Sequence, residues 1–73
     1  MREQTYRLVV GEVGNEQGHI IECYARSLDG ARRAAHRALQ PYGGDGWCTI
    51  CDVVGDPGNR QYPRIETIGR RTL

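Results

Sequence analysis

The 73 residues include ten arginines, no lysine and nine acidic residues, for a net charge of +1. A chain of this length forms one domain with a small core, and no apolar run approaches the roughly 18 residues that span a bilayer. Three cysteines, an odd number, do not make the disulfide framework of a small secreted protein. We therefore expect a single cytoplasmic domain over residues 1–73, with no contact with membranes.

Alternating polar and apolar residues predict a hairpin in the first third of the chain. The alternation runs from Thr5 to Val13 and again from His19 to Arg26, which predicts two strands. The polar residues 14–18 between them include two glycines and have the length of a hairpin loop. On the first strand, one face is expected to carry Tyr6, Leu8 and Val10, and the other Arg7, Val9 and Gly11.

Residues 27–42 predict the one helix of the chain. At 100° per residue the leucines and alanines fall on one side and most of the arginines on the other. Ser27 can cap the first turn, and Asp29 places negative charge beside the positive end of the helix. Pro41 ends the helix, and residues 43–46 are expected to form a flexible connector. The alanines leave a flat stripe that can pack closely on a small sheet.

Two further strands are predicted after the helix. Trp47 to Val54 is rich in β-branched residues and precedes a turn cluster, and Arg64 to Gly69 is a weaker strand entered through a proline. Residues 70–73 are expected to fray. The order β-β-α-β-β predicts the α+β class, a four-stranded antiparallel sheet with one helix packed on one face. The expected core consists of Leu8, Val10, Ile21, Cys23, Leu28, Ala31, Ala35, Leu39 and Ile50.

One helix covers only one face of a sheet, so the other face is expected to stay open. Aromatic and arginine residues of the kind predicted there are enriched at binding hot spots. Trp47 is included because Ile50 is expected to point inward. The alternative, given equal weight, is shielding by arginine stems and by the C-terminal residues 62–73. The residues predicted to bind a partner or a second copy are Tyr24, Ile20, Val9, Trp47, Arg7 and Arg26.

The cysteines of the third predicted strand have CxxC spacing, which suggests a zinc site or a redox dithiol. Residues three apart on a regular strand point to opposite faces, so Cys48 and Cys51 cannot chelate one ion together. We therefore predict buried cysteines that pack as small hydrophobic residues, and no metal or other cofactor.

The exposed side of the helix carries Arg32, Arg33 and Arg37, which could contact the phosphates of a nucleic acid. A solvated face with Asp29 paired to Arg33 is the preferred interpretation, because no RNA-binding or helix-turn-helix signature accompanies the charge. The two histidines and the scattered acids form no catalytic arrangement. We therefore predict that the protein is not an enzyme.

The residues Ala25-Arg26-Ser27-Leu28, followed by Ala31-Arg32-x-x-Ala35, resemble the strand-to-helix junction of small phage-encoded proteins, among them type I-F anti-CRISPR inhibitors. The match covers about a quarter of the chain. This chain differs in lacking lysine and in its cysteine-rich third strand, so no contact residue is carried over. The resemblance implies a non-catalytic inhibitor that docks on a host nucleoprotein complex. A nucleic-acid-binding module and a structural homodimer are the two alternatives.

Overall fold

The computed structural model describes residues 3–69 and has the expected α+β architecture. Its elements are β1 (Gln4–Glu12), β2 (Asn15–Ala25), α1 (Leu28–Leu39), a 3₁₀ helix (Gln40–Asp45), β3 (Gly46–Asp52) and β4 (Arg64–Gly69). The four strands form one open antiparallel sheet of order β2-β1-β3-β4. The single α-helix packs on one face, as predicted. The fraying expected at 70–73 lies outside the described residues.

The turn between β1 and β2 is shorter than the loop that the sequence pattern predicted. Glu12 pairs with Asn15, so the turn consists of two residues and the loop predicted at 14–18 is wrong. Most of that segment belongs to β2, which accommodates the extra residues in a bulge between the pairs Val10–His19 and Glu12–Asn15. Gly18 lies in this bulge at φ +61°, where an added Cβ would come within 2.5 Å of the carbonyl oxygen of Val10. Glycine serves here as a bulge residue.

The helix begins and ends close to its predicted bounds. The hydroxyl of Ser27 accepts a hydrogen bond of 3.3 Å from the amide of Gly30, which caps the first turn. The α-helix ends at Leu39, before Pro41. The connector predicted at 43–46 does link α1 to β3, but it is more regular than expected. Its first three residues belong to the 3₁₀ helix, which is kinked at Gly43, and the last of the four residues already belongs to β3.

The alanine stripe of α1 lies directly on the sheet, on the side that we call the helix face. This face carries Tyr6, Leu8 and Val10 of β1, Ile21 and Cys23 of β2, Cys48 and Ile50 of β3, and Glu66 and Ile68 of β4. Ala31 and Ala35 are fully buried against it. Most of the predicted core is confirmed, with Cys23 and Leu28 only partly buried.

The prediction that Ile21 belongs to the core is wrong, because its side chain is 37% exposed. It lies on the outermost strand, at a distance from the centre of the sheet, where α1 makes its most extensive packing with β3. The third strand is also shorter than predicted. It ends at Asp52, and Val54 forms only an isolated bridge with Gln61. Within residues 3–69 no helix has the length and apolar character to cross a membrane.

Candidate partner-binding face

The strand register places alternate residues in rows across the uncovered side of the sheet, which we call the open face. Its central row is Glu22, Arg7, Cys51 and Arg64, one residue from each strand. The neighbouring row is Ile20, Val9, Thr49 and Thr67. Tyr24 of β2 and Thr5 of β1 begin a third row.

The apolar part of the open face lies on its β2 side. Tyr24 is 63% exposed and Ile20 is 57% exposed, which makes them the most exposed large apolar side chains of the described residues. Val9 is half-buried beside Ile20. The phenol of Tyr24 donates a hydrogen bond of 3.3 Å to Glu22 on the same strand. The alternation of β1 and β2 thus placed these three apolar residues on the same face, as predicted.

Trp47 lies on the open face but is not available to a partner, so the exposure predicted for it is wrong. Its side chain is only 3% exposed. The indole lies against Gly11 and Gly18. A Cβ added at Gly11 would lie 2.5 Å from a ring atom of Trp47, and a Cβ added at Gly18 would lie 3.3 Å from one. The indole nitrogen donates a 3.2 Å hydrogen bond to the carbonyl of Glu12. Two glycines on neighbouring strands were the sequence signal that could have predicted this burial.

Arg7 occupies the middle of the open face with its guanidinium stacked on an aromatic ring. Its guanidinium carbon lies 3.4 Å from the centre of the Tyr62 ring. Its Nε atom is buried and has no hydrogen-bond acceptor among residues 3–69. Leaving a buried donor unpaired costs about 1–3 kcal/mol. Tyr62, which precedes β4, was not among the predicted site residues.

No carboxylate neutralises this arginine within residues 3–69, although Glu22 is its neighbour on β2. Arg64 lies in the same row, two strands away, and likewise forms no ion pair among the described residues. Two unpaired cations therefore share the row with one acid. The arrangement is suited to a carboxylate supplied from outside.

The three cysteines lie on two different faces of the sheet. Cys48 is on the helix face, where burial raises its pKa to about 11, and Cys23 is partly buried on the same side. Cys51 is on the open face, where burial raises its pKa while Arg7 and Arg64 act to lower it. All three thiols are free. No group of three or more metal-binding side chains occurs in the part of the chain that the structure describes.

Two of the three helix arginines predicted to contact phosphates are engaged with carboxylates. Arg32 donates from two nitrogens to Glu66 of β4, at 2.8–3.1 Å, and this hydrogen bonding raises the pKa of Arg32 and lowers that of Glu66. Arg33 pairs with Asp29 at 3.1 Å, as the preferred interpretation of the helix expected. Arg37 forms no ion pair within residues 3–69.

Arg26, the last of the six predicted docking residues, is exposed just beyond the end of β2. The following residue, Ser27, is still extended, with φ −154° and ψ 166°. Arg26 and Ser27 together form a bend between β2 and α1. Arg26 lies at the β2 edge of the sheet, whereas Arg7 lies at its centre.

The helix side carries a shallow groove of about 370 Å³ at the end of α1, lined mainly by glycine backbone with Leu39 and Ile68. His36 is the only titratable side chain in its lining. A single histidine beside apolar groups is not an acid–base pair. The groove therefore adds no catalytic arrangement to the open face.

No family model matches this chain, and no curated protein or solved structure is similar to it.

Proposed function

We propose that this chain is a non-catalytic protein-binding module that docks through the open face. The partner surface would present an apolar group to Tyr24 and Ile20 and a carboxylate to Arg7. The observation that carries the proposal is Arg7, a half-buried cation on the sheet face opposite α1, which has no carboxylate partner and no acceptor for its Nε–H among residues 3–69. A carboxylate of the partner would pair with the charge of this guanidinium, which forms no ion pair among the described residues.

The apolar residues support the same surface. Tyrosine and arginine are enriched at hot spots, whereas isolated exposed aliphatic residues carry little information. Here Tyr24, Ile20 and the half-buried Val9 lie on adjacent strands with Arg7 next to them. The Arg7–Tyr62 stack holds the guanidinium in place before a partner arrives. A pre-positioned cation lowers the entropic cost of binding.

The charges of the helix support protein binding over nucleic-acid binding. Of the three arginines on the exposed side of α1, Arg32 and Arg33 face carboxylates of this chain. A phosphate would have to compete with Glu66 and Asp29 for them. A non-specific nucleic-acid site needs several free cations, because its affinity comes from the release of counterions at each phosphate.

An inhibitor that docks on a host nucleoprotein complex is the narrower form of this proposal, and it is what the resemblance at the strand-to-helix junction implies. In that form the captured protein is a nucleic-acid-binding assembly, and docking reduces its activity. We place the interaction in the cytoplasm, where the three free thiols would remain reduced.

The test compares capture by the protein with capture by variants of each face. Immobilised wild type, Tyr24→Ala, Arg7→Ala and the helix control Arg33→Ala are exposed to lysate with and without nuclease treatment, and the captured protein is purified. We expect wild type and the control to bind it equally. Tyr24→Ala should weaken binding by about 2 kcal/mol, roughly thirtyfold in Kd, measured by titration calorimetry.

Two results would contradict the proposal. Capture that disappears after nuclease treatment, or that depends on Arg33 and Arg37 but not on Tyr24, indicates nucleic-acid binding by the helix. A Tyr24→Ala variant that captures as well as wild type but melts at a lower temperature indicates that Tyr24 contributes to stability alone. Melting curves for all variants are therefore part of the measurement.

A further inference from the structure

The two outer edges of the sheet differ in how well they are protected against pairing with another strand. β4 has six residues, follows Pro63 and contains a register shift opposite Ile50 and Cys51. Short length, a proline and an irregular register are features that block strand addition. The β4 edge is therefore protected.

The β2 edge has none of these features over its last seven residues. β2 has eleven residues, its proline-free sequence contains no lysine, and the bulge lies near its start. Apolar side chains are exposed on both sides of this one strand. Ile20 and Tyr24 are exposed on the open face, and Ile21 on the helix face. A long edge of this kind pairs readily with another extended strand.

We propose that the β2 edge binds the β2 edge of a second copy of this chain, antiparallel, with a two-fold axis at Tyr24. In such a pair the numbers of any two facing residues add up to 48. Glu22 then lies opposite Arg26 of the partner subunit, and by symmetry Arg26 lies opposite the partner's Glu22. Tyr24 lies opposite the partner's Tyr24. Two pairs of opposite charge thus flank one aromatic pair, and both kinds of cross-strand pair stabilise a sheet.

The neighbouring registers lack this complementarity. An axis at Glu22 would set two carboxylates directly against each other, which is destabilising. An axis at Ile21 would place Glu22 against the partner's Ile20, and an axis at Cys23 would place it against the partner's Tyr24. Registers in which the numbers of facing residues add up to an odd number are excluded. They would place residues of the open face of one copy opposite residues of the helix face of the other.

The chain geometry beyond β2 permits the register centred on Tyr24. The paired segment uses β2 up to Ala25 and the two residues after it, which form a bend before α1; Arg26 is exposed, and the backbone of Ser27 is extended. The helix packs on the helix face, and β2 has a neighbouring strand on one side only. The net charge of +1 opposes the approach of two copies only weakly.

Pairing would create one eight-stranded sheet whose open faces are continuous. The inference does not depend on the proposed partner, because oligomeric state alone tests it.

The experiment is a charge swap with sedimentation analysis over a wide range of protein concentration. Wild type should dimerise reversibly. Glu22→Arg and Arg26→Glu each replace two attractive pairs by two repulsive pairs, so each should weaken the dimer at least tenfold. The double variant Glu22→Arg with Arg26→Glu restores opposite charges across the axis and should recover the affinity of wild type. Asp56→Arg, a matched change in the exposed 55–60 turn, should have no effect.

A second measurement tests the position of the axis. Tyr24→Cys should form an intermolecular disulfide on mild oxidation, because the two thiols would face each other across the axis, whereas Thr67→Cys on the opposite edge strand should not. Wild type that stays monomeric at millimolar concentration overturns the proposal. So does a dimer that is unaffected by both single swaps, or one that the double swap fails to restore. Circular dichroism of each variant verifies that the exposed substitutions leave the fold intact.

Discussion

The two faces of this sheet are formed by alternate residues of the same strands, yet they are buried in different ways. On the helix face, Leu8 and Ile50 are covered by the alanines of α1. Within residues 3–69 no helix lies on the open face, and the β3 residues are buried there by their neighbours. Trp47 lies on two glycines, and the hydroxyls of Thr49 and Thr67 lie 2.9 Å apart.

This difference shows where a small one-helix protein keeps surface for binding. The middle of the open face is already covered by local packing. The exposed apolar side chains therefore remain on its β2 side, at Tyr24 and Ile20. Substitutions on the helix face should change stability, whereas substitutions on the β2 side should change association. The following predictions test that division.

The largest expected effect is a matched pair of truncations, one on each face. Leu8 is 2% exposed and Ile20 is 57% exposed. Leu8→Ala leaves a cavity and should lower the free energy of unfolding by about 2–5 kcal/mol. Ile20→Ala should lower it by about 1 kcal/mol or less. Urea unfolding of both variants at one low protein concentration measures the difference. Similar losses for the two variants would mean that the open face contributes to the core.

The division between faces was largely predictable from the sequence, because alternation is a local property of a strand. Tyr6, Leu8 and Val10 face the helix as predicted. The ends of α1 followed from Ser27 and Pro41. The exposure of Ile21 could not be predicted in this way, since it depends on the strand order and on which strands the helix covers.

The second prediction concerns the pH dependence of stability that comes from the Cys48 thiol, which is buried on the helix face. Its pKa in the folded protein is about 11 against an ordinary value of 9.0, because burial disfavours the thiolate. Above pH 9 the unfolded chain loses this proton while the folded chain keeps it. The free energy of unfolding should therefore fall as the pH rises from 9 to 11, by about 2–3 kcal/mol from this group.

Cys48→Ala provides the control for that measurement. Urea unfolding at pH 8, 9, 10 and 11 should show a steeper decline for wild type than for the variant, since every other titrating group is common to both. Cys51 should react with a thiol reagent before Cys48, because burial raises the pKa of both thiols but Arg7 and Arg64 offset part of that effect at Cys51. Parallel pH profiles would show that Cys48 is not protected by the helix face.

The candidate site was less predictable than the fold. Alternation predicted the correct face for Tyr24, Ile20 and Val9. The prediction that Trp47 is exposed was wrong, because alternation does not show which residues of other strands lie against it. That information depends on the pairing of β1 with β3 and on the bulge in β2, and both are long-range properties. Tyr62 was not among the predicted site residues, although it begins the segment 62–73 that the alternative interpretation expected to shield this face. Its contact with Arg7 depends on the pairing of β4 with β3.

The third prediction tests the local packing that covers the middle of the open face. A methyl group at Gly11 would lie 2.5 Å from one carbon of the Trp47 ring and 2.8 Å from another, so the indole must move. Gly11→Ala should therefore lower the free energy of unfolding by about 1–3 kcal/mol, as overpacking does. Trp47 is the only tryptophan of the chain, so its fluorescence reports the movement directly. We expect a red-shifted emission maximum and stronger quenching by acrylamide in the folded variant.

Gly44→Ala is the matched control for this last change. No atom lies within 4 Å of the Cβ that it would add, and its backbone does not have a positive φ. The control should keep the fluorescence and, within about 0.5 kcal/mol, the stability of wild type. If Gly11→Ala also left the emission unchanged, Trp47 would not be held by the two glycines. The burial of the open face would then need a different explanation, and Trp47 would return to the set of residues available to a partner.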